Sequence, residues 1–383
     1  MTDCFEIGNW QSEIGNMTIH GCASPAGTAR YQERFPNSAP HHFRTQHNVT
    51  LSSIGIGTYL GSPDEATDDG YAHSVIRSVQ LGSNVIDSAA NYRFQRSERS
   101  IGHALAKLTN DHDVSRSEVV ICTKGGYLPF DGTQPRNVRD YVESTFVRPG
   151  IASLDDFVGG VHCMTPAYLQ NQLEQSMRNM NIDCVDVYYI HNPESQLGYI
   201  TETEFYYRLR LAFERLEENR AQGKLQWYGV ATWNGFRVAN TSREYHSLSR
   251  MVQIARETGG ENSGFRFVQM PFNLAMPEAL TLLNQTVDNQ ELTTLEAAER
   301  LGITVVASAS MLQGRVARGL PDSVRKPLGS LPTDALTAVQ FVRSTPGITT
   351  ALIGMSQVGH VEENLKLVNI EPVRSDSFEQ LFF

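Results

Sequence analysis

The chain has 383 residues, of which 42 are acidic and 32 basic, for a formal net charge of -10. That balance, with no dense Lys/Arg cluster, argues against a nucleic-acid surface or an anionic membrane patch and favours small-molecule or protein partners. Cys4, Cys22, Cys122, Cys163 and Cys184 lack CxxC or metal-ligand spacing, which points to reduced thiols, no bound metal and a reducing compartment.

The amino terminus, Met1 to Trp10, has neither a basic leader nor an apolar stretch, and no window reaches transmembrane length, so a cytoplasmic protein is expected. Residues 1–50, rich in Asn, His, Ser and Pro, read as an extension. Within it Arg30 to Arg34 and His42 to Gln46 are candidates for a hairpin closing the bottom of a barrel.

From about Leu51 onward, short Val/Ile-rich runs alternate with segments of helical periodicity, the pattern of repeated βα units over a parallel sheet. The predicted strands are Ser53 to Tyr59, Asn84 to Ser88, Val119 to Lys124, Val185 to His191, Leu225 to Thr232, Phe265 to Met270, Ile303 to Ser308 and Thr350 to Ile353. Helices are predicted over His73 to Leu81, Glu98 to Leu108, Pro166 to Met180, Glu204 to Gln222 and Asp334 to Ser344. Eight units with no GxGxxG turn after the first strand favour a closed (β/α)8 barrel over a doubly wound sheet, so the fold class is α/β with one barrel domain over 51–370. Residues 371–383 form a tail.

A long insertion, about 127–164, separates the third strand from its helix, with Pro129, Gly132, Pro135, Pro149, Gly150, Gly159 and Gly160 as breakers. Its Phe130, Tyr141, Phe146 and Phe157 suit either a lid or pocket wall, the favoured reading, or packing on the barrel exterior. A second long segment, Met311 to Pro332, follows the seventh strand on the same barrel face.

Residues just beyond the carboxyl ends of barrel strands converge on one cavity. Asp87, Lys124 and His191 have that placement, and Tyr92 follows Asp87 by one loop step. A phenol of ordinary pKa ~10 is a poor acid or base at neutral pH, but a nearby ammonium stabilises its phenolate. Lys124 can supply that charge, Asp87 can orient Lys124, and His191 can donate a hydrogen bond to a carbonyl oxygen as it becomes negative. These roles describe carbonyl reduction, with Tyr92 protonating the oxygen and the hydride coming from an organic cofactor such as a nicotinamide. Aromatic residues near the same face, Tyr59, Phe94, Tyr127 and Trp233, are candidate substrate contacts.

Several segments, in order, carry a resemblance to a known family: Gly55 to Tyr59, Asp87 to Tyr92 with Ser97, Glu98 and Gly102, Thr123-Lys124, Asp186 to His191, Gly223 to Val230, Gln269 to Asn273, and Gly354 with Glu362 to Asn364. Together they resemble the aldo-keto reductase superfamily over about Leu51 to Leu367. The resemblance implies that Asp87, Tyr92, Lys124 and His191 are its catalytic tetrad and that the cofactor is NADP(H) or NAD(H).

It further implies that Gly57, Thr58, Tyr59 and Asp87 line the nicotinamide end and Gln269 binds the carboxamide. Glu363 and Asn364 would hold the adenine, and Ser308, Ser310, Gln313 and Gly354 the phosphates, in the loops where such barrels bind them. Where many members have Ser-Asn for the carboxamide, this chain has Ala231-Thr232, so Thr232 or Asn234 must substitute. An aromatic ring that often stacks on the nicotinamide is replaced by Ser308. For a 2'-phosphate the last loop offers only Ser356, Gln357 and His360, with Lys366 a turn beyond, which implies a weaker preference for NADP than is usual, with use of both cofactors. Two further readings stay open: a slow or non-catalytic cofactor-sensing regulatory barrel, and a sugar or alcohol dehydrogenase working in the oxidative direction.

Overall fold

The computed structural model describes residues 18–374 together with Phe378 and Leu381. Cys4, the rest of the amino terminus and most of the expected tail lie outside the described residues.

Eight parallel strands close into a barrel: β3 (Ile54–Gly57), β4 (Val85–Asp87), β5 (Val120–Gly125), β6 (Val185–His191), β7 (Leu225–Ala231), β8 (Phe265–Pro271), β11 (Thr304–Ser308) and β12 (Ile348–Gly354), with β12 returning to pair with β3. Each coincides with an expected strand to within two residues at either end. Both faces of such a strand are covered, so β6, Val-Asp-Val-Tyr-Tyr-Ile-His, is buried along its whole length. The period of two still decides direction. Val187 and Tyr189 join Val85, Val120, Phe267, Val306 and Leu352 inside the barrel, while Tyr188 and Ile190 pack outward against the helices.

Three of the five expected helices have other limits, because their caps are local. The helix expected from His73 begins eight residues earlier, at Glu65, where the Asp64 side chain accepts from the Thr67 N–H. Thr201 caps Glu202–Ala221 in the same way. Helix Arg96–Asp111 packs on helix Pro166–Met180 at Gly102, where a Cβ would stand 2.9 Å from the backbone of Asn179 and Met180. That close approach accounts for the glycine.

The amino-terminal extension differs from expectation. Arg30 to Arg34 is not a strand: it belongs to helix Pro25–Glu33 and its C-cap, with Ser24 as N-cap and Pro25 in the first turn. The hairpin instead pairs β1 (Phe43–Gln46) with β2 (Val49–Ser52) across His47-Asn48, both left-handed at φ 48° and 67°, as a two-residue turn of matching twist requires. Val49 and Leu51 of β2 join the inward-facing residues at the barrel's lower mouth. A second hairpin, β9 (Leu283–Val287) with β10 (Gln290–Thr293), turns at Asp288-Asn289 by the same device and had no counterpart in the sequence reading.

The insertion builds a small core of its own. Phe146 meets Phe157 and Tyr168, Tyr141 meets Phe130 and Phe146, and Leu128, Val142 and Cys163 complete the cluster. It packs beside the barrel's upper mouth rather than across it.

Candidate active site

Strand register brings the ionisable residues together, since Asp87 sits opposite Cys122 on β5 and Lys124 opposite Tyr189 on β6. Lys124 Nζ lies 2.6 Å from Asp87 Oδ2 and 2.6 Å from the Ser88 carbonyl oxygen. The same ammonium stands over the Tyr92 ring, 4.9 Å from its centroid, and the Tyr92 ring meets His191 edge-on at 5.8 Å. Asp87 Oδ1 accepts from the Gln269 amide at 2.8 Å, so both carboxylate oxygens are held.

Tyr92 owes its position to an unusual backbone. Arg93, Phe94 and Gln95 are all left-handed, at φ 47°, 58° and 68°, a run that costs roughly 1–2 kcal/mol per residue and persists only where the surroundings enforce it. Arg93 supplies the enforcement. Its buried guanidinium meets Asp68 at 2.5 Å, donates to Ser97 Oγ and lies 4.8 Å over the Tyr71 ring.

The electrostatics follow from burial acting against this pair. Burial raises the Tyr92 phenol above its ordinary range, with Lys124 pulling it partly back, so it holds its proton at neutral pH. Burial alone would lower Lys124, but Asp87 and Tyr92 outweigh it and the ammonium is held above its usual value. Burial also raises Asp87, against the pull of Lys124. His191 is pushed well below 6.5 by burial, with Lys124 and His162 adding to the effect, and is therefore neutral. Its Nδ1 is buried without a partner, which leaves Nε2 as the nitrogen open to the cavity.

A cavity of about 810 Å³ opens over these groups, a size suited to a cofactor together with a substrate. It is lined by Gly57, Thr58, Tyr59, Asp87, Tyr92, Tyr127, His191, Thr232, Trp233, Gln269, Ser308, Ser310, Gln313, Gly354, Ser356, His360, Glu363 and Asn364, all anticipated from the sequence. Lys124 lies beneath it. Thr232 Oγ1 and Asn364 Oδ1 are buried and unpartnered, two polar atoms that a bound group must satisfy.

Three expected residues are elsewhere. Phe94 turns away from the cavity to pack on Phe130 at 5.8 Å, because the left-handed run reverses the chain. Asn234 donates to Glu244 and to Glu194 rather than facing the cavity. Gln357 stands at the N-cap of helix Val358–Asn364, off the lining. The insertion contributes Tyr127 alone to the lining.

Other lining residues were missed. Asn91 and Asn192 flank Tyr92 and His191, and adjacency to those two was the available signal. Arg318 comes from the segment after β11, where no periodicity or motif marks it. It has no ion-pair partner among the described residues. Leu320 two residues on is tied to Asp334, and neighbouring Thr333 donates to Glu363 at 2.8 Å, so this segment lies against the Glu363 end of the cavity.

The model of the aldo/keto reductase family matches residues 53–323. The chain belongs to that family. An uncharacterized oxidoreductase of Bacillus subtilis, YqkF, is 21% identical to this aldo/keto reductase over 347 residues, 87% of this chain and 92% of the relative. An NADH-specific methylglyoxal reductase of Escherichia coli is 26% identical over 203 residues, 52% of each chain. Among solved structures, an aldo/keto reductase of Klebsiella pneumoniae in complex with NADP and acetate superposes with a TM-score of 0.60 at 18% identity, covering 90% of this chain and 94% of that one. The glycerol dehydrogenase AKR11B4 of Gluconobacter oxydans does so with 0.60 at 18%, covering 89% and 94%. These superpositions give the aldo/keto reductase the same closed barrel as its neighbours. No described helix of this aldo/keto reductase is long and apolar enough to cross a membrane.

Proposed function

We propose that the chain reduces an aldehyde or ketone to an alcohol with NADPH or NADH, using Tyr92 as the proton donor. The observation that carries this reading is the stack of Asp87, Lys124 and Tyr92 beneath a cavity whose other wall holds neutral His191. The residues present fit a nicotinamide dinucleotide: Thr232 Oγ1 can meet a carboxamide and Asn364 Oδ1 an exocyclic amine, and each now lacks a partner. Solved neighbours that carry NADP or NADPH in their crystals support the same choice.

Such a cofactor supplies hydride to the carbonyl carbon when bound. The protein's share is placement and the proton. His191 Nε2, carrying the ring hydrogen because nothing accepts one from Nδ1, donates to the carbonyl oxygen and stabilises its growing charge. Tyr92 then gives its proton to that oxygen, and the phenolate left behind is stabilised by Lys124. Lys124 keeps its own proton because Asp87 and Ser88 hold it in place. In its protonated form Tyr92 is the donor that reduction requires.

The substrate end is uncharged. Tyr59, 58% exposed and edge-on to Tyr92 at 4.9 Å, and Trp233, 45% exposed, line it, and Leu60, Asn91 and Asn192 line the same cavity. That rim suits a neutral carbonyl compound with an apolar or aromatic face and offers no cation to a carboxylate. 4-Nitrobenzaldehyde is therefore expected to exceed 4-carboxybenzaldehyde in kcat/KM.

Tyr92→Phe tests the reading. NADPH binding, followed by its fluorescence, should be retained while aldehyde-dependent NADPH oxidation falls by about 10²- to 10⁴-fold. Retained turnover rejects Tyr92 as the donor, and binding with no turnover by the native chain across aldehydes, ketones and quinones favours a cofactor-sensing role.

A further inference from the structure

The insertion does not cover the cavity, yet its last residues return to the barrel directly behind His191. Leu128 N donates to the Val161 carbonyl at 2.7 Å and Cys163 N to the Gly126 carbonyl at 2.9 Å, and His162 is carried inward between them. His162 is wholly buried, with Nε2 2.7 Å from the His191 carbonyl oxygen. Its Nδ1 lies 2.8 Å from the Gln196 amide nitrogen. That amide is oriented by Arg208, which donates to Gln196 Oε1 at 2.9 Å, so the nitrogen can only donate to the ring. His162 therefore accepts at Nδ1 and carries its hydrogen on Nε2, donating to His191. Burial holds it near 4, which keeps it neutral.

The bond fills a gap in the barrel. Pairing of β5 with β6 ends at Gly125 and Ile190, so the His191 carbonyl meets no β5 N–H there. The His162 imidazole takes that ladder position. Gly126 makes room for it: at φ 136°, a Cβ would stand 2.9 Å from His162 Nε2 and 3.2 Å from the His191 oxygen. Tyr127 then meets both imidazoles edge-on, each at 5.1 Å, and its hydroxyl is fixed by Ser195 at 2.8 Å. His191 needs this help from its backbone and from Tyr127, because its own Nδ1 has no partner to orient the ring.

We propose that His162 is a positioning residue for His191, and that the insertion serves the reaction as a buttress rather than as a lid. This rests on the reading of His191 as the group that polarises the carbonyl. Imidazole aim matters steeply, since misplacement by about 1 Å can cost on the order of 10²-fold in rate.

The test compares His162→Phe, which keeps a ring but no donor, and His162→Gln, which restores an N–H, each in the wild-type and His191→Ala backgrounds. His162→Phe should lower kcat by roughly 10- to 100-fold with KM and the NADPH dissociation constant little changed, and His162→Gln should recover part of the loss. In the His191→Ala background His162→Phe should cost nothing further. Should Phe not be accommodated, His162→Asn, too short to reach the carbonyl, replaces it. A wild-type kcat in the donor-less variant, no recovery with Gln, or an equal loss in both backgrounds overturns the positioning role. Undiminished kcat in His191→Ala alone instead rejects the reading of His191.

Discussion

The Lys124 ammonium sits 2.6 Å from Asp87 Oδ2 with both side chains almost wholly buried, at 1% and 5% exposure. Breaking such a pair strands a charge in a low-dielectric interior, at a cost of about 3–5 kcal/mol. Asp87→Asn should therefore lower the urea midpoint and also suppress turnover, because Lys124 loses the charge that raises it and an amide, with a single acceptor oxygen, cannot accept from both Lys124 and Gln269. The double variant Asp87→Asn with Lys124→Met should regain much of the stability while staying inactive. Recovery of activity along with stability contradicts the role of the pair.

The pH profile of kcat for reduction should be level from about pH 6 to about 9. Tyr92 acts in its protonated form, which is lost as pH rises through a value held above its ordinary range by burial. His191 is held well below 6.5 by burial and so gives no inflection near neutrality. A single ionisation between about pH 6.5 and 8 points to a different proton donor.

Arg318 shares the cavity with His360 and Glu363 and has no ion-pair partner among the described residues. It can supply the cation that the loop after β12 lacks. Arg318→Ala should weaken NADPH binding by about 10- to 100-fold while changing NADH binding far less. Equal losses for the two cofactors exclude a contact with the 2'-phosphate.

Acid should destabilise the fold through its buried histidines. His42, bonded to Ser53 Oγ and the Gly82 carbonyl, is lowered by burial to about 3, and His162 to about 4. The unfolded chain protonates each near pH ~6.5, so their contribution is whole above that value and is lost as pH falls toward the folded values. Each adds a slope of about 1.4 kcal/mol per pH unit in that window. The raised carboxyls of Asp87 and Glu98 work in the opposite sense. The difference between native and His42→Gln chains isolates the histidine: the variant's unfolding free energy should fall less steeply between about pH 6 and 4.5. Parallel slopes exclude the assignment.

The sequence by itself determined the barrel and the reacting groups. Alternation of Val/Ile runs with helical periods is imposed by burial on both strand faces, so eight strands were legible along with their order. A residue ending a buried strand must emerge at the rim, which is why Asp87, Lys124 and His191 could be named without coordinates. Tertiary structure alone decided how the loops turn and what they meet. Phe94 left the cavity because Arg93, bound to Asp68 far from it in sequence, holds a left-handed run that no local propensity favours. Arg30 to Arg34 became helix because Ser24 and Pro25 cap it, and β1 met β2 through a two-residue turn at His47-Asn48; these two signals are local and were present in the sequence. Arg318 and His162 reach the site from long segments of irregular spacing. In such segments contacts across the fold, not period or motif, fix where a side chain ends.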